Sequence, residues 1–73
     1  MPFNSKAVKI LRERESLTRQ DLAKILGVSE VSVRHYENNV RKPGIKILDE
    51  LYQLATQRGH EDLNFYSPKK ENW

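Results

Sequence analysis

Residues 22–37 read LAKILGVSEVSVRHYE and contain the break that decides the fold. Leu22 and Leu26 lie at helical spacing before Gly27, and glycine commonly ends helices because it adopts positive φ without steric cost. Ser29 follows two residues later, and serine is a preferred N-cap residue. The stretch therefore predicts two short helices separated by a tight turn, in place of one continuous helix.

Two short helices joined by a three- or four-residue turn that contains glycine form a helix-turn-helix unit. Thr18, three residues before Asp21, predicts a capping box at the start of the first of these helices. Asn38 lies near the predicted end of the second. Ala23 is small where the two helices are expected to cross, and Gly27 lies where the backbone must turn sharply. The pattern thus predicts a short helix presented at a fixed angle.

Three further segments have helical patterns. Asn4 is the predicted N-cap of a first helix, apolar spacing over residues 45–57 predicts a fourth, and HEDLNFY over residues 60–66 predicts a short fifth. We find no strand pattern in the sequence. The chain is therefore predicted to be all-α, with a compact five-helix domain over residues 1–66 and a flexible tail over residues 67–73.

Length and charge narrow the class of protein. At 73 residues the chain predicts one domain with little room for an internal active site. Thirteen Lys and Arg residues against ten Asp and Glu residues give a net charge of +3, and the positive surplus lies within residues 1–58. No apolar run approaches the length of a membrane span, and the absence of Cys fits a reducing compartment. We expect a soluble, cytoplasmic protein.

The residues that catalysis or metal binding would need do not form a recognisable set. His35 and His60 are the only histidines, and no HExxH spacing is present. We interpret the adjacent acidic pairs at residues 49–50 and 61–62 as solvated surface, and His60 as an exposed residue at the start of the fifth helix. The sequence thus predicts no enzyme activity, no metal ion, no cofactor and no small-molecule ligand.

The segment LTRQDLAKILGVSEVSVRHYENNVRKPGIKILDELYQLA, residues 17–55, resembles the phage repressor and Cro family of bacterial helix-turn-helix regulators. The similarity covers about residues 6–57 and includes the LGVS turn, the YEN end of the third helix and the RKP loop. It implies a lambda-repressor-like domain that binds specific double-stranded DNA and regulates transcription, as a repressor. It also implies a homodimer that reads an inverted-repeat operator with its third helices.

The resemblance assigns roles to individual positions. Base edges in the major groove are expected to meet Glu30, Val31, Arg34 and His35. Phosphate contacts are expected from Arg19, Ser29, Ser32, Asn38, Arg41 and Lys42. The residues expected to hold the fold are Arg12 and Glu37, as a pair, with Ala23, Gly27, Val33 and Tyr36. The four residues expected to meet base edges also lie on the side of the third helix opposite its inward apolar residues.

Three positions depart from the pattern of that family. Arg19 stands where the family usually has Gln, so a charge contact is expected in place of an amide contact. Glu30 stands where Gln or Ser is common, and its carboxylate could accept a hydrogen bond only from cytosine N4 or a neighbouring donor. Asn39 replaces the usual Gly, and Asn tolerates the left-handed backbone conformation that this position needs.

The last part of the chain holds more apolar residues than a small core requires. We interpret Leu54, Leu63 and Phe65 as candidates for the dimer contact, with the alternative that the residues of the fifth helix only cover the first and fourth helices. Two other functions stay open. One is an antitoxin or another protein-interaction module, and the second is a restriction-modification controller protein, which shares the fold.

Overall fold

The computed structural model describes residues 3–66, and these residues contain four α-helices. The helices are α1 (Ser5–Arg14), α2 (Arg19–Leu26), α3 (Glu30–Glu37) and α4 (Ile45–Gln57). The only β pairing within residues 3–66 is an isolated antiparallel bridge between Phe3 and Tyr66. The all-α prediction and the helix-turn-helix at α2 and α3 are therefore confirmed. The predicted tail over residues 67–73 lies outside the described residues.

Local hydrogen bonds fix both ends of α2. The hydroxyl of Thr18 accepts from the backbone N–H of Asp21 at 3.0 Å, and the Asp21 carboxylate accepts from the N–H of Thr18 at 3.1 Å. This backbone hydrogen bond lowers the pKa of Asp21, because it stabilises the ionised carboxylate. At the other end Gly27 has a φ of 74°, and the N–H of Val28 donates to the Ala23 carbonyl at 3.0 Å. The chain then re-enters a helix after a short turn.

Gly27→Ala is expected to lower the free energy of unfolding by about 1–2 kcal/mol, because an L-residue in the left-handed region places its Cβ too close to the backbone. No atom outside the local backbone lies within 4 Å of the position that this Cβ would take, so the loss is conformational. The measurement is urea unfolding followed by circular dichroism. Gly44→Ala is the matched control, because Gly44 has a φ of −70° and equally open surroundings. Equal losses in the two variants would contradict this account of the turn.

One apolar core joins all four helices. Its fully buried large side chains are Val8, Leu11, Leu22, Val33, Leu51 and Phe65. Tyr36 and Leu26 are also buried in this cluster. The inner faces of α2 and α3 are therefore held by the same core that holds α1 and α4, and this packing fixes the orientation of α3.

The predicted fifth helix is wrong. Residues 60–66 form a turn, in which the N–H of Leu63 donates to the His60 carbonyl at 3.1 Å, and then an irregular segment that ends at the β-bridge of Tyr66. The groups around Asn64 and Phe65 bond to distant residues: Asn4 donates to their carbonyls, from its side chain and its N–H, at 2.9 Å and 2.8 Å. A helix of this length has little stability of its own. The hydrogen bonds to distant residues therefore decide the conformation of residues 60–66. Asn4 precedes α1 as predicted, but its side chain does not cap α1.

Burial corrects two of the candidate dimer contacts. The Phe65 side chain is 0% exposed and packs edge-on against Tyr52, with ring centroids 4.9 Å apart. Leu54 is buried as well, and Leu63 is half-buried against the same core. Phe65 therefore has no surface to offer to a second chain, and Leu54 is mostly committed to the core of its own chain. The alternative, that the residues after α4 cover the first and fourth helices, accounts for Phe65, whereas Leu54 is a buried residue of α4 itself.

His60 was predicted to be exposed, and this prediction is wrong. Its Nε2 lies 2.5 Å from the Glu15 carboxylate, and its side chain is 17% exposed. Its backbone N–H donates to the Ala55 carbonyl at 2.7 Å. The same Glu15 carboxylate lies 3.7 Å from Nε of Arg58. The end of α4 is thus tied to the turn after α1. None of the helices in the described part of the chain has the length and apolar composition needed to cross a membrane.

Candidate nucleic-acid interface

The two faces of α3 differ in burial. The face toward the core carries Val33, Tyr36 and Glu37, all of them buried. The opposite face carries Glu30, Val31 and Arg34, which are exposed, and His35, which is half-buried. No hydrogen bond within residues 3–66 engages the Arg34 or His35 side chain. All four residues predicted to meet base edges therefore lie together on one side of a helix whose other side is fixed.

Hydrogen bonds at both ends of α3 fix where this helix begins and ends. The Ser29 hydroxyl accepts from the N–H of Ser32 at 3.1 Å and donates to the Ser32 hydroxyl at 3.0 Å. At the other end Asn38 follows α3, and Asn39 has a φ of 59°, the left-handed conformation expected of this position. The His35 carbonyl then accepts from the N–H of Val40 at 2.9 Å. Because the Ser29 hydroxyl hydrogen is used inside the cap, the Ser32 hydroxyl is the one left to donate outward.

Arg12 and Glu37 form an ion pair between α1 and the last residue of α3. Nε of Arg12 lies 2.6 Å from Oε2 of Glu37, and its Nη2 lies 3.3 Å from Oε1. The third donor, Nη1, reaches the Leu17 carbonyl at 3.0 Å. The hydrogen bond to Glu37 raises the pKa of Arg12. The side chains are 14% and 1% exposed, so this pair is largely removed from water.

A second arginine bonds to the same carboxylate. Nε of Arg19, the first residue of α2, lies 3.1 Å from Oε1 of Glu37. The Arg19 side chain is 38% exposed, as a phosphate contact requires. Sequence reasoning assigned Arg19 to phosphate and Glu37 to the fold, and it missed the bond between them. The available signal was the arginine itself, which stands where the resembling family usually has a neutral glutamine.

The remaining phosphate candidates lie at both ends of α3. Ser29 precedes the helix and is exposed, and Ser32 in its first turn is half-buried. Arg41 and Lys42 are exposed in the loop that follows, next to the buried Pro43. The N–H of Arg41 donates to the His35 carbonyl at 3.3 Å, which ties the basic loop to the end of α3. Asn38 is exposed at the junction. Hydroxyl, amide and cationic donors thus border the outward face of α3.

The described residues bring together an exposed helix with polar donors, a basic loop and a rigid core behind them. No group of three or more His, Cys, Asp or Glu side chains suited to a metal ion occurs among them. This geometry is that of a helix-turn-helix domain, in which the second helix of the unit is the one presented to DNA.

Comparison with protein families identifies the class directly. A family model described as helix-turn-helix matches residues 8–52, which is more than half of the chain. The chain belongs to the Cro/C1-type helix-turn-helix family and is a DNA-binding regulator of transcription. Comparison with curated proteins and with solved structures finds no match.

Proposed function

We propose that this chain is a sequence-specific transcriptional repressor, which inserts α3 into the major groove and binds an inverted-repeat operator as a homodimer. The observation that carries the proposal is the outward face of α3, where the side chains of Arg34 and His35 make no hydrogen bond to other residues in the range 3–66. Because the buried face of α3 is packed into the core, base contacts need no rearrangement of the helix.

The chemistry of this face suggests which base edges it could read. Arg34 can donate two hydrogen bonds to O6 and N7 of guanine, the commonest specific contact of arginine in the major groove. Val31 can offer apolar contact to a thymine methyl group, and Glu30 can accept from N4 of cytosine. His35 can donate from a ring nitrogen. The preferred half-site is therefore expected to contain guanine opposite Arg34.

The proposed dimer rests on the information that one helix can supply. A single recognition helix reads only a few base pairs, which is too little to define a site in a genome. Two-fold pairing places two such helices in successive major grooves, about 34–36 Å apart. With Leu54 and Phe65 buried, Leu63 is the candidate dimer contact that retains the most exposed surface.

Selection of bound sites from random duplex DNA tests the proposed function. The expected product is an inverted repeat whose half-sites are centred about one helical turn apart. The matched comparison is occupancy of a single half-site, which is expected to be weaker and non-cooperative. A selected site that is a single asymmetric half-site occupied by one chain would contradict the dimer and leave the helix-turn-helix assignment standing.

Arg41→Ala and Lys42→Ala are expected to weaken binding to all duplex sequences alike. Each variant loses one phosphate contact. The plot of log K against log salt should therefore become shallower by about one unit per variant. The measurement is a titration of fluorescent duplex DNA at several salt concentrations. Arg58→Ala is the control, because Arg58 lies after α4 beside Glu15. Slopes equal to that of the parent would remove the basic loop from the interface.

The alternative is a protein-interaction module such as an antitoxin. The observation that favours it is the exposure of Val40 (68%) and Ile45 (86%), the two apolar residues that flank the loop between α3 and α4. These residues could form part of a surface for a partner protein. If selection from random duplex DNA yields no bound site, and the chain shows no salt-dependent affinity for duplex DNA, this alternative would be favoured over DNA binding.

A further inference from the structure

Two arginines share the carboxylate of Glu37 in an unequal way. Arg12 approaches it from α1 with two donors, Nε and Nη2. Arg19 approaches from the start of α2 with Nε alone, at 3.1 Å from Oε1. Neither Nη group of Arg19 has a hydrogen-bond partner within residues 3–66. Arg19 is therefore held by one edge of its guanidinium group, while its two terminal nitrogens remain available.

The charges of this cluster do not cancel. Two guanidinium groups surround one carboxylate, so the cluster keeps one positive charge. Glu37 is almost fully buried and Arg12 nearly so, whereas Arg19 is considerably more exposed. The remaining positive charge is therefore presented to solvent at Arg19. Because Arg12 already neutralises Glu37, the carboxylate can orient Arg19 without repelling an anion bound at its outer edge.

We propose that Glu37 is a positioning residue for DNA binding, which holds Nε of Arg19 so that both Nη groups face one phosphate of the DNA backbone. This inference rests on the proposed function. A guanidinium group has five donors in a fixed plane, so it can bond to Glu37 on one edge and to phosphate oxygens on another. An ammonium group is a point charge without this planar fork. Arginine and lysine at position 19 would therefore differ in DNA affinity although their charges are equal.

Arg19→Lys tests the proposal because it separates position from charge. The variant is expected to bind its selected duplex about tenfold more weakly, the loss typical of one charge-assisted hydrogen bond. Its salt slope should equal that of the parent, because the charge is kept. Arg19→Ala should bind more weakly, and its plot of log K against log salt should be shallower by about one unit. An Arg19→Lys variant with the affinity of the parent would overturn the proposal.

A double-mutant cycle with Glu37→Gln shows whether Glu37 is responsible. In the Glu37→Gln background, Arg19→Lys is expected to change the affinity by much less than tenfold, because one neutral amide oxygen replaces the two carboxylate oxygens that Arg12 and Arg19 share. An undiminished tenfold effect in that background would overturn the positioning role. Arg14→Lys is the matched control: Arg14 makes a two-point contact with Asp62, at 2.9 Å and 3.0 Å, away from the helix-turn-helix unit. It should leave the affinity unchanged.

The Nε–H resonance of Arg19 in the parent protein gives a second readout if Glu37→Gln does not fold. In the free protein and in the DNA complex this proton should exchange with solvent more slowly than the Nε–H of Arg34 does in the free protein. Exchange as fast as that of Arg34 would overturn the proposal. Two outcomes separate the proposed function from the role of Glu37. A parent that binds no duplex contradicts the proposed function as well, whereas a parent that binds and variants that match it contradict only the role of Glu37.

Discussion

Glu37→Ala is expected to lower the free energy of unfolding by about 3–5 kcal/mol, the range measured when one partner of a buried ion pair is removed. The truncation leaves the Arg12 guanidinium, which is mostly buried, without its carboxylate. It also leaves Arg12 and Arg19 facing each other without an intervening negative charge. Urea unfolding followed by circular dichroism measures the loss. Typical domains are stable by only about 5–15 kcal/mol, so the substitution is expected to remove a large fraction of the stability of this domain.

Asp62→Ala is the matched control for this prediction. Asp62 also pairs with an arginine, and this hydrogen bond from Arg14 lowers the pKa of Asp62. The pair lies at the surface, however, and water solvates Arg14 once the carboxylate is removed. Asp62→Ala should therefore change the stability little. If Glu37→Ala were no more destabilising than Asp62→Ala, the Arg12–Glu37 pair would not hold α1 and α3 together.

Arg34→Ala and His35→Ala are expected to lower the preference for the selected site by about 1–3 kcal/mol each, the typical value of a well-formed base contact. Binding to unrelated duplex should change less, because non-specific affinity comes mainly from phosphate contacts. The ratio of the two affinities at one salt concentration is the measurement. Neither residue belongs to the buried core, so the unfolding free energy should remain near that of the parent.

Arg41→Ala provides the contrast for these two variants. It removes a positive charge from the loop next to α3 and is expected to weaken specific and non-specific binding by similar factors. Arg34→Ala and His35→Ala should instead lower the ratio of the two affinities. If both variants kept the ratio of the parent, the assignment of α3 as the base-reading helix would be wrong.

The parts of the fold that the sequence predicts depend on local chemistry. The capping box at Thr18, the left-handed turn at Gly27 and the N-cap at Ser29 each involve residues within a few positions of one another. Their hydrogen bonds form in any context that allows a helix to begin or end there. The bounds of α4 follow in the same way from the apolar spacing over residues 45–57.

The parts that the sequence does not predict depend on contacts between distant residues. Residues 60–66 have a pattern that suits a helix, but Asn4 and Tyr52 bond to the backbone of Asn64 and Phe65 and hold this segment in a non-helical path. The burial of Phe65 follows from this path, and it replaces the predicted dimer contact. The bond between Arg19 and Glu37 likewise joins the ends of two helices. Periodicity along one helix contains no information about such pairings.

Contacts between α3 and base protons test the central claim most directly. With isotope-labelled protein and the selected duplex, nuclear Overhauser effects should connect the Val31 methyl groups, the Arg34 side chain and the His35 ring to protons in the major groove, such as thymine methyl groups and cytosine H5. Lys42 should show contacts to sugar protons only, as a phosphate contact would. Spectra that show no contacts from α3 to base protons, and instead contacts from α4 residues such as Tyr52, would contradict the claim that α3 reads the major groove.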